Sequence, residues 1–116
     1  MKKAPSQRQL KVGELLRHAL SKLFMRGEIP SLDHISITVS EVRISPDMKN
    51  ATAYIFPLGG KHVENLVPTL RQYEGFIRTY LAKEVYMRHA PRVSFKIDTS
   101  FEQAARIDDL LREALV

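Results

Sequence analysis

A helical repeat of apolar residues runs through the first part of the chain: Val12, Leu15, Leu16, Ala19, Leu20 and Leu23. This spacing predicts a helix with one apolar face. Ser6 followed by Gln9 matches a capping box, so the helix should begin there, after a flexible arm at residues 1–5. Gly27 and Pro30 should end it. Three basic positions share a strip beside the apolar face: Lys11, His18 and Lys22.

The next segment alternates between apolar and polar residues, which predicts strands. Ile35, Ile37 and Val39 alternate with serine and threonine, but the next apolar pair is out of phase, which predicts a β-bulge near Ser40-Glu41. Ser45-Pro46-Asp47 suits a tight turn. A second strand is predicted from about Asn50 to Pro57. One of its faces has Ala51, Ala53 and Ile55, and the other has Thr52, Tyr54 and Phe56.

Helical spacing returns after Gly59-Gly60 and continues almost to Pro91. Pro68 and Gly75 interrupt it, so two helices, or one bent helix, should meet near Tyr73-Glu74-Gly75. Val93, Phe95 and Ile97 then alternate with polar residues, which predicts a last strand. Ser100 and Gln103 are spaced to cap a final helix with an apolar face at Ala104, Ile107, Leu110 and Leu111.

These elements predict an α+β fold with the order α-β-β-α-α-β-α. A three-stranded β-sheet packed against helices on one side is the smallest arrangement that buries the strand faces. No repeat or shift in composition marks a boundary, so residues 6–116 should form a single domain.

The distribution of charge favours a polyanionic partner. Eighteen Lys and Arg stand against thirteen Asp and Glu, giving a net charge of +5 and a pI near 9.7. Residues 1–30 hold seven bases and two acids, and residues 71–98 hold six bases and three acids. The net charge alone is better explained by a surface that only keeps the protein soluble, but the clustering makes a basic side that binds nucleic acid an equally good explanation.

The sequence gives no support for catalysis or for a cofactor. Cysteine is absent, and the four histidines lack the spacing of a helical metal site. No nucleophile elbow, P-loop or dinucleotide-binding glycine pattern occurs. No signal peptide or membrane span is visible either, so we expect a cytoplasmic protein that is not an enzyme and binds no metal.

The candidate RNA-binding residues come mainly from the basic clusters and from the predicted helix junction, where a helix N-terminus attracts phosphate. Tyr73 and Phe76 are placed to stack on an unpaired base. Phe76 is better explained as a core residue, whereas Tyr73 fits either role. The full set is Lys2, Lys3, Arg8, Lys11, Lys22, Lys49, Arg71, Tyr73, Gly75, Arg78, Lys83, Arg88, Arg92 and Lys96.

From about Gln7 to Leu111 the sequence resembles a type II K homology domain and, more narrowly, the bacterial ribosome-binding factor A family. The resemblance lies in the order and spacing of several stretches: Arg8–Leu16, Ile37–Val42, Ser45–Met48, Gly75–Arg78, Leu81–Lys83, Met87–Arg88, Ala105–Asp108 and Leu110–Leu111. Ordinary K homology domains grip nucleotides with a G-x-x-G loop, which is absent here. The family has an A-x-G helix kink instead, which falls on Tyr73-Glu74-Gly75, with tyrosine in place of alanine.

The resemblance implies an assembly factor for the small (30S) ribosomal subunit. Members of the family bind late precursors near the 5′-end helix of the small-subunit rRNA, support rRNA processing, and matter most in the cold. We therefore expect a monomer that binds rRNA in a salt-dependent way. Two alternatives stay open: a generic nucleic-acid-binding module without a ribosomal role, and a protein-interaction scaffold that uses the face with Tyr54 and Phe56.

Overall fold

The computed structural model describes residues 4–32, 35–58 and 63–100. The elements are α1 (Gln7–Met25), β1 (Ser36–Ile44), β2 (Asn50–Leu58), α2 (Val63–Gln72), α3 (Glu74–Glu84) and β3 (Arg92–Ile97). The predicted α+β class is confirmed, and so is the order of these six elements. The predicted final helix, which follows Ser100, lies outside the described residues.

Helix α1 begins at the predicted capping box. The Ser6 hydroxyl accepts a bond from Gln9 N at 3.1 Å, and Ser6 N donates to Gln9 Oε1 at 2.9 Å. The helix ends before Gly27, whose φ of 63° is the left-handed conformation that glycine adopts without strain. Leu15, which the apolar repeat assigned to the buried face, is 47% exposed, because a residue next to Leu16 on a helix lies at the margin of its face.

The three strands form a mixed sheet in the order β1-β2-β3. Strands β1 and β2 are antiparallel, and their register shifts between Val39 and Glu41, which confirms the predicted bulge. The turn that joins them is closed by Ser45 N donating to Asn50 O at 2.8 Å. Strand β3 pairs parallel with β2, with Asn50 opposite Arg92 and Ile55 opposite Ile97.

The core lies between one face of the sheet and the helices. Ala51, Ala53 and Ile55 of the central strand are buried, as predicted. The small side chains of Ala51 and Ala53 leave room for the leucines and isoleucine of the helices that are buried in the same core: Leu16, Leu20, Leu23, Leu66, Leu70, Ile77 and Leu81. Thr52, Tyr54 and Phe56 point to the opposite face of the sheet, because side chains alternate along a strand.

Helix α1 packs closely against strand β1 at Gly13. A Cβ built on Gly13 would lie 2.6 Å from the backbone oxygen of Val42, which leaves no room for any side chain. One turn earlier, Gln9 Nε2 donates to Ile44 O at 3.1 Å. This contact fixes the direction of α1 and therefore the position of its N-terminal turn, which carries Arg8.

The predicted helix junction is confirmed as a break between α2 and α3. Tyr73 has φ −102° and ψ 17°, outside the helical region, and Tyr73 N donates to Leu70 O instead of continuing the α-helical pattern. Pro68 lies inside α2 without ending it. Arg78 and the rest of α3 are thereby turned toward the segment that leads into β3.

Candidate nucleic-acid interface

A groove of about 850 Å³ opens where four separate segments of the chain meet. They are the first turns of α1, the turn between β1 and β2, helix α3, and the segment from α3 to the start of β3. In the described part of the chain, five cationic residues line this groove: Arg8, Lys49, Arg78, Arg88 and Arg92. The side chains of all five are exposed, and among the described residues that line the groove Asp47 is the one acid. We call this the basic groove.

Hydrogen bonds to and from the backbone bring the groove-lining residues together. Arg92 N donates to Lys49 O at 2.8 Å where β3 begins, which places these two cations on neighbouring segments. Arg78 Nε donates to Ala90 O at 3.2 Å and holds the segment before β3 against α3. The turn at Asp47 is braced in the same way, because its Oδ1 accepts from Lys49 N at 3.0 Å.

The carboxylate of Asp47 accepts hydrogen bonds from other residues of the turn. Hydrogen bonds from the Ser45 hydroxyl and from Lys49 N lower the pKa of this carboxyl below its usual value. The ionised carboxylate therefore stabilises the turn that displays Lys49. It offsets only part of the positive charge of the groove.

Most cations of the basic groove are not neutralised by a neighbouring acid. Within residues 4–32, 35–58 and 63–100, Arg8, Lys49, Arg88 and Arg92 form no ion pair. Three described cations outside the groove do form them: Arg17 with Glu14, Lys22 with Glu84, and Arg43 with Glu41. Unpaired cations that converge on a concave surface raise the local potential and attract polyanions.

Arg8 lies in the first turn of α1, where a cation opposes the helix dipole. No acidic residue occupies that turn to compensate for it. Such an arrangement costs a few tenths to about 1 kcal/mol in the free protein. The same positive end favours an anion bound in the groove.

A smaller cavity of about 330 Å³ adjoins the basic groove and shares Asn50 and Arg92 with it. Arg71 and Glu74 also line it, so the helix junction adds one cation and one acid to this surface. The predicted phosphate site at the N-terminus of α3 is weakened, because Glu74 lies in that first turn and repels anions. Lys96, four residues after Arg92 on the same face of β3, is also exposed.

Several predicted residues do not line the groove. Lys22 forms an ion pair in which its Nζ lies 3.7 Å from Glu84 Oε1. Lys83 projects from α3 about 140° around the helix axis from Arg78. Lys11 is exposed on α1 outside the groove. Gly75 is exposed, and a Cβ built on it would meet nothing within 4 Å, so packing does not require glycine there. Lys2 and Lys3 lie outside the described residues.

The aromatic residues differ most from expectation. Phe76, interpreted from the sequence as core, is 46% exposed. Tyr73 is partly buried against the core, and neither residue lines the basic groove. Among the described residues, the groove is lined by the aromatic side chain of Tyr86, which is 94% exposed and was not predicted from the sequence. The sequence feature that could have indicated Tyr86 is the Tyr86–His89 segment, where the helical repeat of apolar residues stops before Pro91.

The part of the chain that the structure describes shows no group of three or more metal-ligating side chains. None of the helices in that part is long and apolar enough to cross a membrane.

Comparisons with known proteins identify one family. The family model described as "Ribosome-binding factor A" matches residues 8–111. Proteins of the same name from Phenylobacterium zucineum and Azorhizobium caulinodans are 44% and 48% identical to this chain. The first match covers 97% of this chain and 79% of the relative, and the second covers 93% and 76%.

Solved structures agree with the sequence matches. The crystal structure of ribosome-binding factor A from Thermus thermophilus has a TM-score of 0.65 and 27% identity, covering 77% of this chain and 94% of that one. A homology model of the Thermus thermophilus factor, fitted into a cryo-EM map of a 30S complex, has a TM-score of 0.65 and 25% identity, covering 78% and 96%. The chain described here belongs to the ribosome-binding factor A family.

Proposed function

We propose that this protein binds the small ribosomal subunit and acts in its late assembly, with the basic groove as its main contact with rRNA. The observation that carries the proposal is the meeting of five exposed cations from four segments on one concave surface. The Thermus thermophilus relative, whose 30S complex has been visualised, supports the choice of partner.

The mechanism is electrostatic docking, in which no covalent bond is made or broken. Arginine binds phosphate oxygens through two parallel hydrogen bonds, and the guanidinium groups of Arg88 and Arg92, which form no ion pair with any described residue, are available for this. Lys49 adds a point charge from the turn. If all five groove cations contact phosphates, log K should fall with log salt with a slope of roughly −4.

By resemblance to the family, the consequence of docking is support for rRNA end processing near the 5′-end helix, with the greatest need in the cold. The protein would act as a monomer in the cytoplasm and would carry out no chemical step itself. Retained binding at high salt would instead favour a protein-interaction scaffold.

Charge reversal at two matched positions tests the groove. Arg88→Glu removes a groove cation that has no internal partner in the described residues, whereas Lys83→Glu makes the same change in net charge on α3 outside the groove. Arg78 is a less suitable target, because its bond to Ala90 O supports the fold. We expect Arg88→Glu to weaken binding roughly tenfold at physiological salt and to lower the salt slope by at least about one unit.

Co-sedimentation with purified small subunits, large subunits and an unrelated duplex RNA over a salt series measures both quantities. Lys83→Glu should bind the small subunit nearly as well as the wild type. Equal losses for the two variants would mean that bulk charge, not the groove, drives binding. Equal affinity of the wild type for all three partners would reduce the function to generic nucleic-acid binding.

A further inference from the structure

Tyr86 occupies a position that the fold alone does not explain. It directly follows Val85, the C-cap of α3, and its side chain is 94% exposed. A side chain so exposed buries almost no apolar surface and therefore adds little to the stability of the free protein. Within the described residues its hydroxyl has no hydrogen-bond partner.

The backbone at Tyr86 also argues against a purely structural role. Its φ of 50° is left-handed, and this position after a helix is usually glycine or asparagine. A bulky aromatic residue in that conformation is strained relative to glycine. Residues held in such conformations cluster at functional sites, where a ligand benefits from the fixed orientation.

The surroundings of Tyr86 identify the chemistry of the ligand. Tyr86 lines the basic groove, with Arg88 two residues later and Arg92 at the start of β3. Val12 and Met87 are apolar residues that line the same groove. A planar aromatic ring beside unpaired guanidinium groups is the combination that binds a nucleobase together with its flanking phosphates.

The groove volume and the exposure of the ring favour an unpaired nucleotide over a duplex. The volume, about 850 Å³, is within the range of sites that enclose a small ligand. Bases inside a duplex are stacked on each other and offer no free face to a tyrosine, whereas bases in loops, bulges and single strands do.

We propose that the basic groove contains a nucleotide subsite in which an unpaired RNA base stacks on Tyr86 while Arg88 and Arg92 bind the adjoining phosphates. This inference rests on the proposed function, because it assigns the class of rRNA that the groove takes. It predicts that Tyr86 lowers the stability of the free protein and raises its affinity for RNA.

Three substitutions separate the contributions of ring and backbone. Tyr86→Phe keeps the stacking ring, Tyr86→Leu keeps a large residue but removes the ring, and Tyr86→Gly removes both the ring and the backbone strain. Ser31→Gly is the matched control, since Ser31 is exposed with φ 71° in a loop away from the groove. It should raise stability as Tyr86→Gly does while leaving RNA affinity unchanged.

Binding is measured by fluorescence anisotropy with two labelled RNAs of equal length, a hairpin with a single-stranded loop and a fully paired duplex. Tyr86→Leu and Tyr86→Gly should lose about tenfold in affinity for the loop RNA and almost nothing for the duplex. Tyr86→Phe should match the wild type. Urea unfolding should show Tyr86→Gly to be more stable than the wild type.

The outcomes distinguish this inference from the proposed function. If the wild type binds small subunits and the loop RNA, and Tyr86→Leu binds both equally well, the stacking subsite is refuted while the assembly role stands. If the wild type does not bind small subunits, the proposed function is refuted, and the loop RNA still reports on Tyr86. If Tyr86→Leu loses affinity for small subunits but binds the loop RNA as the wild type does, Tyr86 contacts a ribosomal protein and the nucleotide subsite is refuted.

Discussion

Replacing Gly13 with alanine tests how closely α1 is seated on the sheet. The added Cβ would lie 2.6 Å from Val42 O, whereas an ordinary close C···O contact is about 3.3 Å or more. The obstacle is a backbone atom of a paired strand, which cannot rotate away as a side chain can. The helix must therefore move by roughly 0.7 Å, given that contact distance.

Two opposing contributions set the size of the effect. Alanine is favoured over glycine inside a helix by about 1 kcal/mol. Overpacking at a buried contact costs about 1–3 kcal/mol, and the shift also strains the bond from Gln9 Nε2 to Ile44 O. Because the clash is with backbone, we expect Gly13→Ala to lower the free energy of unfolding by about 1–2 kcal/mol.

The same substitution at Gly75 should have the opposite sign. A Cβ there meets nothing within 4 Å, and the residue lies in the first turn of α3 without a left-handed φ. Helix propensity alone then acts, so Gly75→Ala should raise stability by up to about 1 kcal/mol. A variant that folds better but binds small subunits less well would show that RNA, not packing, requires this glycine.

Thermal and urea unfolding followed by circular dichroism measure both variants. For a chain of this size, 1 kcal/mol corresponds to a shift in Tm of about 4 °C. Gly13→Ala should therefore melt about 4–8 °C below the wild type, and Gly75→Ala at or above it. A Gly13→Ala protein as stable as the wild type would refute the close seating of α1 on β1.

Two further predictions concern the ends of elements. Ser6→Ala should cost about 1 kcal/mol, because the hydroxyl that caps Gln9 N is lost; unchanged urea denaturation would count against the cap. Asp98 accepts bonds from Ser100 and from the Ser40 hydroxyl, which lower the pKa of its carboxyl. Its contribution to stability is therefore present above the unfolded-state pKa and is lost as pH falls through the lower folded pKa. The stability gap between wild type and Asp98→Asn should thus close in acid, and a gap independent of pH would contradict this assignment.

The parts of the fold that depend on local sequence could be predicted from it. The capping box at Ser6, the bulge near Ser40 and the break at Tyr73 each leave a signature within a few residues, either a hydrogen-bonding pair or a change of periodicity. The bulge also has a structural role that the pattern did not show, because it turns the Ser40 hydroxyl to within 2.5 Å of Asp98 Oδ2 beyond the central strand.

The candidate site could be predicted only in part, because its residues are distant in sequence. Charge clustering identified Arg8, Arg78, Arg88 and Arg92 but selected Lys22 and Lys83 equally, since composition does not show which cations converge. Stacking residues were sought at the helix junction. There Tyr73 packs against the core, and Phe76 is exposed outside the groove.

The pairing of β2 with β3 connects the stability of the fold to the function of the groove. The bond from Arg92 N to Lys49 O starts this pairing and also brings two like-charged side chains to one edge of the sheet. Both side chains are exposed, whereas the strands that follow them bury Ala51, Val93 and their neighbours in the core. The two cations are brought together only in the folded state, so an anion that binds both of them must stabilise the fold. The groove is therefore the region of the described structure where rRNA should protect the protein most strongly against unfolding.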